Sequence, residues 1–340
     1  MKGSFTVPNH ISFHRRSMLA SAAASAGLAF LHSTQAALPA AAAAKRSPML
    51  PRDLKKKIQG PIMSIPTPFT AEFAVDYQAV RNLVRQGLDH GIIVYELTAG
   101  DSKYAALSYE EIKELTRVLV EAVGDKGTVI AATGAWWTQR AVEYARYAES
   151  VGADGVQVLL PGSGSEDTYV AHYREIADAT KLGIILHGNF PLPLVERLSQ
   201  IESVVGMKED VSEKYYYDIQ RKFGQRLAIF GGGQKWRFLV GHRYGSKGYL
   251  STFSTFAPQI AVRFWKALQR GDLSAARDIV LKYDQPLFDF CLSGKRPFFT
   301  YWHGIMECFG VTKRYLRPPA PSCDEEDMRE VKAFVKTLAL

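Results

Sequence analysis

Cysteine is scarce in this chain, and the three present build no framework. Cys291, Cys308 and Cys323 are widely spaced, match no metal-ligand spacing and leave one thiol over, so buried free thiols are expected, with one disulfide at most. Acidic residues are absent from positions 1 to 52, which hold Lys2, Arg15, Arg16, Lys45, Arg46 and Arg52. Removing those six from the 42 Lys and Arg leaves 36 against 34 Asp and Glu, a net of +2 for the remainder of a chain whose formal charge is +8. The basicity therefore sits in the leader, and the broad basic face that nucleic-acid binding needs is missing. Long apolar runs are missing too. Met18 to Leu31, rich in Ala, Ser and Gly, is too short and too weakly apolar to span a bilayer comfortably. No glycine-rich dinucleotide turn follows the first strand-like run, and Gly231-Gly232-Gly233 comes late, without the Lys-Ser/Thr ending of a phosphate loop.

What the leader does contain is ordered. Arg15-Arg16 follows Ser12-Phe13-His14, the weak apolar run comes next, and Thr34-Gln35-Ala36 offers a small-residue exit. Residues 1 to 36 read as a twin-arginine-like export signal, so an exported, periplasmic or extracytoplasmic protein is expected, with no stable membrane span once the signal is removed. An uncleaved anchor and an organelle transit peptide leading to an organelle matrix are the alternatives. Residues 37 to 59, with Ala40 to Ala44 and Lys55-Lys56-Lys57, read as a linker and lead-in helix.

From residue 60 a pattern repeats. A hydrophobic fraction of 47% allows a sizeable core. Short apolar runs lie at Ile62 to Pro66, Ile92 to Leu97, Thr128 to Ala132, Gly155 to Leu160, Gly183 to His187, Val204 to Lys208, Leu227 to Gly231 and Lys247 to Ser251. Helical segments separate them, opened by Asp76 and by the Ser108–Glu111 capping box and closed by Gly91, Gly124 and Gly152. Strands buried on both faces and joined by helices imply a parallel sheet. The fold class is α/β, and eight such units over residues 60 to 257 predict a (β/α)8 TIM barrel. Residues 258 to 340 then supply the last barrel helix and a C-terminal helical extension, with helices over Pro258 to Arg270, Leu273 to Phe290, Arg296 to Phe309 and Asp324 to Leu338. The tail is rich in aromatic residues, among them Phe264, Trp265, Phe288, Phe290, Phe298, Phe299, Tyr301 and Trp302. These are expected in core and interface packing, including contacts of a homo-oligomer.

In such barrels the carboxyl ends of the strands carry the active site. Lys208 ends the sixth run, where burial lowers a lysine toward a reactive free amine unless Glu209 or Asp210 pairs it. It is the candidate Schiff-base nucleophile. His187, at the end of the fifth run, is the candidate proton carrier, and a core histidine bonded to a carbonyl is its bland alternative. Thr98, Ala99, Gly100 and Asp101 follow the second run, Ser163 the fourth and Ser251 the eighth. Small hydroxylated residues with backbone amides suit a substrate carboxylate. For Thr98 a turn-capping hydroxyl is the alternative. Only His187, Glu209 and Asp210 among metal-ligand types fall at strand ends, since His172 and His242 lie in predicted helices, so neither metal nor cofactor is expected. A metal-dependent isomerase or hydrolase is the weaker alternative, as is a binding barrel without turnover.

The residues Gly60 to Pro68, Leu97 to Glu111, Ala131 to Gly134 and Val205 to Glu209 resemble the dihydrodipicolinate synthase and N-acetylneuraminate lyase family, over roughly residues 58 to 310. The second-strand loop, usually Gly-Thr-Thr-Gly-Glu-Ser, stands as Leu97-Thr98-Ala99-Gly100-Asp101-Ser102, and the sixth-strand Gly-x-Lys-Glu as Gly206-Met207-Lys208-Glu209. The resemblance implies a class I aldolase-type lyase, aldolase or dehydratase whose lysine condenses with a 2-oxo acid such as pyruvate or a sugar-derived 2-oxo acid, and which is commonly a tetramer. It also implies departures. Ala99 replaces a carboxylate-binding threonine, Asp101 a glutamate and His187 the relay tyrosine, while Pro161-Gly162-Ser163 stands where Pro-Tyr-Tyr is usual.

Overall fold

Eight short strands close into a parallel barrel in the computed structural model, which describes residues 49 to 340. The export signal expected over residues 1 to 36, and the linker up to residue 48, lie outside the described residues. The strands are β1 (Gly60–Ser64), β2 (Val94–Glu96), β3 (Thr128–Ala132), β4 (Gly155–Leu159), β5 (Gly183–His187), β6 (Val204–Glu209), β7 (Ala228–Gly231) and β8 (Gly248–Leu250). Each pairs in parallel with the next, and β8 returns to β1. Nearly every strand residue is buried, because helices cover the outer face and side chains fill the inner one.

The order of helices is α1 (Pro51–Lys57), α2 (Tyr77–Asp89), α3 (Tyr109–Val123), α4 (Thr138–Val151), α5 (Glu166–Ala179), α6 (Leu192–Leu198), α7 (Glu213–Phe223), α8 (Lys235–Gly241), α9 (Pro258–Gln269), α10 (Leu273–Ile279), α11 (Gln285–Cys291), α12 (Phe298–Cys308) and α13 (Glu325–Thr337). Their starts follow the sequence signals. Asp76 Oδ1 accepts the Ala79 N–H at 2.9 Å, and Ser108 and Glu111 form the reciprocal capping box of α3. Gly152, at φ 98°, ends α4 in the left-handed region that glycine enters without penalty.

α1 closes the amino-terminal mouth of the barrel. Its Leu54 and Ile58 pack on Ile62, Val94, Ile130, Ile185, Phe230 and Leu250 from inside the barrel. The strands make room for it: a Cβ added to Gly155 or Gly183 would run into the Leu54 side chain. Above this apolar layer the interior changes character, since Ser64, Glu96, Gln157, His187 and Lys208 continue the inward alternation of their strands.

The C-terminal extension departs from expectation at one point. The helix predicted over Leu273 to Phe290 is interrupted by a wide π turn, Val280–Asp284. Pro286 has no N–H for the carbonyl of Lys282, and the wider turn accommodates that loss. The turn carries Asp284 inward to Lys235, the first residue of α8. Both side chains are fully buried, with Lys235 Nζ 2.8 Å from Asp284 Oδ1 and the Lys235 N–H donating to Oδ2 at 2.6 Å. α8 passes after Gly241 into a tight turn at His242–Tyr244.

Cys291, Cys308 and Cys323 are free thiols, and burial pushes Cys291 and Cys323 up to about 12, which keeps them inert. Among the described residues no helix is long and apolar enough to cross a membrane.

Candidate active site

The carboxyl ends of β5 and β6 bring three ionisable groups together. His187 and Lys208 are register partners, and Lys208 Nζ lies 3.3 Å from His187 Nε2. Asp210 closes the triangle: its Oδ2 bonds Lys208 Nζ directly and lies 3.3 Å from His187 Nε2. The pairing left open by the sequence falls to Asp210. Glu209 points to the other face of the strand, where it pairs with Arg237 of α8 and accepts the N–H groups of Val211 and Ser212 at 2.5 and 3.1 Å.

Burial alone would make Lys208 the weakly basic amine that its position predicts. The negative charges of Asp210 and Asp101, joined by Glu96 once it ionises, outweigh that, and the ammonium is held above its ordinary 10.5. The resting nucleophile is therefore a paired ammonium, not a free amine. His187 moves the other way. Burial and the Lys208 charge lower it from 6.5 against the pull of Asp210, so at neutral pH it is a neutral imidazole. Asp210 would rise on burial, but Lys208 and His187 hold it well below the usual carboxylate range. His187 Nε2 faces both neighbours: it either donates to Asp210 or accepts from Lys208, and so is placed to pass a proton between them.

The β2 loop stands nearby. Thr98 Oγ1 accepts the Asp101 N–H at 3.0 Å, and the Thr98 N–H is taken by Ser102 Oγ at 3.2 Å. The turn-capping alternative for Thr98 is thus realised, and its N–H is not free for a substrate; the hydroxyl proton still is. Among the described residues the N–H groups of Ala99 and Gly100 have no partner, so the loop retains two backbone donors. Asp101 lines a cavity of about 230 Å³, together with Ser64, Gly233, Gln234, Ser251 and Thr252. Its charge also acts on Lys208 and His187. Phe288, Phe298, Phe299 and Trp302 wall the cavity, so part of the aromatic tail that packs in the core also serves the site.

Ser251 thus lies where the sequence puts it. Ser163 does not: its loop is exposed and lines no part of this cavity. His172 is buried against Thr138, 3.0 Å from its hydroxyl, and His242 bonds the Ser246 carbonyl, so both are structural. Among the described residues no three His, Cys, Asp or Glu side chains gather as metal ligands.

Sequence reasoning missed the polar floor of the site. Glu96 and Gln157, 0% and 1% exposed, face each other inside the barrel, and Gln157 Nε2 donates to Glu96 Oε1 at 2.6 Å. The signal was present as a charge at an inward position of an apolar strand. Among the described residues Ser64 Oγ, Ser251 Oγ, Glu96 Oε2 and Gln157 Oε1 are buried without a partner. Ser64 and Ser251 line the cavity, and their orphaned hydroxyls mark a place for a polar ligand.

Comparison with known proteins gives the same frame. A 4-hydroxy-tetrahydrodipicolinate synthase of Halorhodospira halophila is 32% identical over 299 residues, covering 83% of this chain and 97% of its own. A probable 5-dehydro-4-deoxyglucarate dehydratase of Streptomyces coelicolor is 25% identical over 294 residues, covering 82% and 92%. The crystal structure of dihydrodipicolinate synthase from Bacillus clausii superposes with a TM-score of 0.76 at 25% identity, covering 84% of this chain and 100% of that one. The family model for the dihydrodipicolinate synthetase family matches residues 57–338, so the chain belongs to that family and is a lyase of the class I aldolase type.

Proposed function

We propose that the protein forms a Schiff base between Lys208 and a 2-oxo acid, and uses it for aldol-type cleavage or dehydration of a sugar-derived substrate. The observation that carries this is the Lys208–His187–Asp210 triangle at the barrel mouth, with free backbone donors on the β2 loop. The Ala99 and Gly100 N–H groups and the Thr98 hydroxyl hold the carboxylate. One Nζ proton leaves Lys208, through His187 Nε2, and the lone pair attacks the 2-oxo carbon. The carbinolamine hydroxyl departs as water after gaining a proton from His187, leaving an iminium. In cleavage, His187, neutral again, takes the C4 hydroxyl proton, the C3–C4 bond electrons flow into the C=N group to give an enamine, and the C4 fragment leaves as an aldehyde; the proton returns to C3 and hydrolysis of the iminium frees Lys208. In dehydration, His187 takes a C3 proton and passes it to the C4 hydroxyl, which the enamine expels as water, and hydrolysis of the conjugated iminium frees Lys208.

Hydroxyls and amides at Ser64, Ser251, Thr252 and Gln234 beside an aromatic wall match a polyhydroxylated chain better than bare pyruvate. The dehydratase named among the relatives points to the same substrate class. Proton NMR in D2O tests the reading. The pyruvate methyl signal is expected to fade through reversible enamine formation, at least tenfold more slowly with His187→Ala and not at all with Lys208→Ala; no exchange with the intact protein removes the proposal. Export by residues 1 to 36 and assembly as a homo-oligomer complete it, tested by fractionation and light scattering.

A further inference from the structure

The floor of the barrel carries a group that the mechanism above does not use. Glu96 is fully buried, its Oε1 is held by Gln157 Nε2, and its Oε2 has no partner among the described residues. Gln157 is itself fixed, since the same nitrogen donates to the Leu97 carbonyl at 3.2 Å. This is a large departure from an ordinary barrel interior, where apolar side chains fill the layers. An acid in that position demands an electrostatic reason.

We infer that Glu96, clamped by Gln157, is a positioning residue that governs how readily Lys208 gives up its proton. The inference rests on the Schiff-base reading for its catalytic consequence, though not for the charge coupling itself. Neutral Glu96 leaves the ammonium held by Asp210 and Asp101 alone. Ionised Glu96 adds a third negative charge and locks the proton on Nζ. Glu96 shares the barrel interior with His187 of β5 and Lys208 of β6, inward residues that are register partners, and Lys208 and Asp210 from β6 and Asp101 from the β2 loop act on it by charge. β1 contributes Ser64 beside it in register, β3 contributes Ile130 and β4 the Gln157 amide. Burial, with Asp101 and Asp210, pushes the carboxyl up to about 8 against the pull of Lys208. Near neutrality it is therefore protonated.

The consequence is a ceiling on alkaline activation. An ordinary lysine gains free amine tenfold with each step in pH until it titrates. Here the gain levels off once Glu96 ionises, because the doubly charged pair competes with the free amine. With ionisation at about 8, the suppression is negligible at pH 7 and has an upper bound of about tenfold at pH 9.

Competitive acetylation with acetic anhydride, read by mass spectrometry on the Lys208 peptide of the full chain, measures this without any 2-oxo acid. Glu96→Gln, which keeps shape and hydrogen bonding, is expected to label like the parent at pH 7 and severalfold more, up to about tenfold, at pH 9. Gln157→Leu removes the donor that supports the Glu96 carboxylate, and is expected to move the labelling the same way by less; it serves alone where Glu96→Gln fails to fold. Equal labelling of parent and variants within twofold at pH 9 overturns the inference. A pyruvate–borohydride adduct at Lys208 with unshifted labelling overturns the role of Glu96 alone. Shifted labelling without any adduct keeps the coupling and overturns the Schiff-base reading.

Discussion

Replacing Asp284 by Asn tests how the cavity wall is held. The Lys235–Asp284 pair ties α8, next to Gly233 and Gln234, to the π turn of the extension, with both side chains at 0% exposure. At 2.8 Å and an effective dielectric near 20, the attraction is about 6 kcal/mol. Burial offsets much of it, and breaking one partner of such a pair costs about 3–5 kcal/mol. Asn keeps an acceptor for the Lys235 N–H, so the lower end, about 3 kcal/mol, is expected, or roughly 6 °C in Tm for a domain of this size. The sign with pH follows from the lysine. Burial lowers Lys235 from 10.5 while Asp284 opposes it. Without Asp284 the folded-state value falls further, and the unfolded chain binds the proton more tightly over a wider range. Stability of the variant then rises with pH toward 10.5, and its deficit shrinks. Urea unfolding at pH 6, 8 and 10, followed by tryptophan fluorescence, measures both quantities. A deficit below about 1 kcal/mol, or one growing with pH, refutes the reasoning. Lys235→Met with Asp284→Leu should recover most of the loss, since the buried charge then goes with its partner.

Other expectations follow from the same structure. Asp210→Asn removes the strongest charge that raises Lys208, so the acid limb of Schiff-base trapping should move to lower pH; a limb that stays put contradicts the pairing. Arg317 grips the Glu111 carboxylate at 2.7 and 2.8 Å and the carbonyls of Phe73 and Ala106, tying the tail to the loop below β2. The Arg317 hydrogen bonds hold Glu111 at about 2, a contribution present above 4.5 and lost as pH falls through 2. Arg317→Ala should therefore unfold at higher pH in an acid titration followed by circular dichroism. Ser163→Ala should leave trapping rates within twofold, and a tenfold loss would return the exposed β4 loop to the site.

The fold was legible because both faces of a parallel barrel strand are buried, so eight continuous apolar runs stand out between capped helices. Val204 to Lys208 and Gly183 to His187 end where the barrel places its chemistry, which made Lys208 and His187 readable as neighbours. Period two would even have chosen Asp210 over Glu209: Lys208 points inward, so the residue two places on follows it and Glu209 faces α8. The lone charge of Glu96 stood out on its strand, but its contact with Gln157 was not legible, since the two meet across the interior at a sequence distance of 61 and only closure sets that contact. The π turn escaped because Pro286 announces a break without saying how the chain absorbs it. The aromatic wall escaped because composition cannot divide core rings from those of Phe298, Phe299 and Trp302, which the extension folds back over the mouth.

Reductive trapping tests the central claim most directly. The protein is incubated with pyruvate and borohydride, weighed intact and mapped by peptide mass. The account predicts one adduct per chain, pyruvate less water plus two hydrogens, located on Lys208. Absence of an adduct, or an adduct that survives Lys208→Ala, would contradict it.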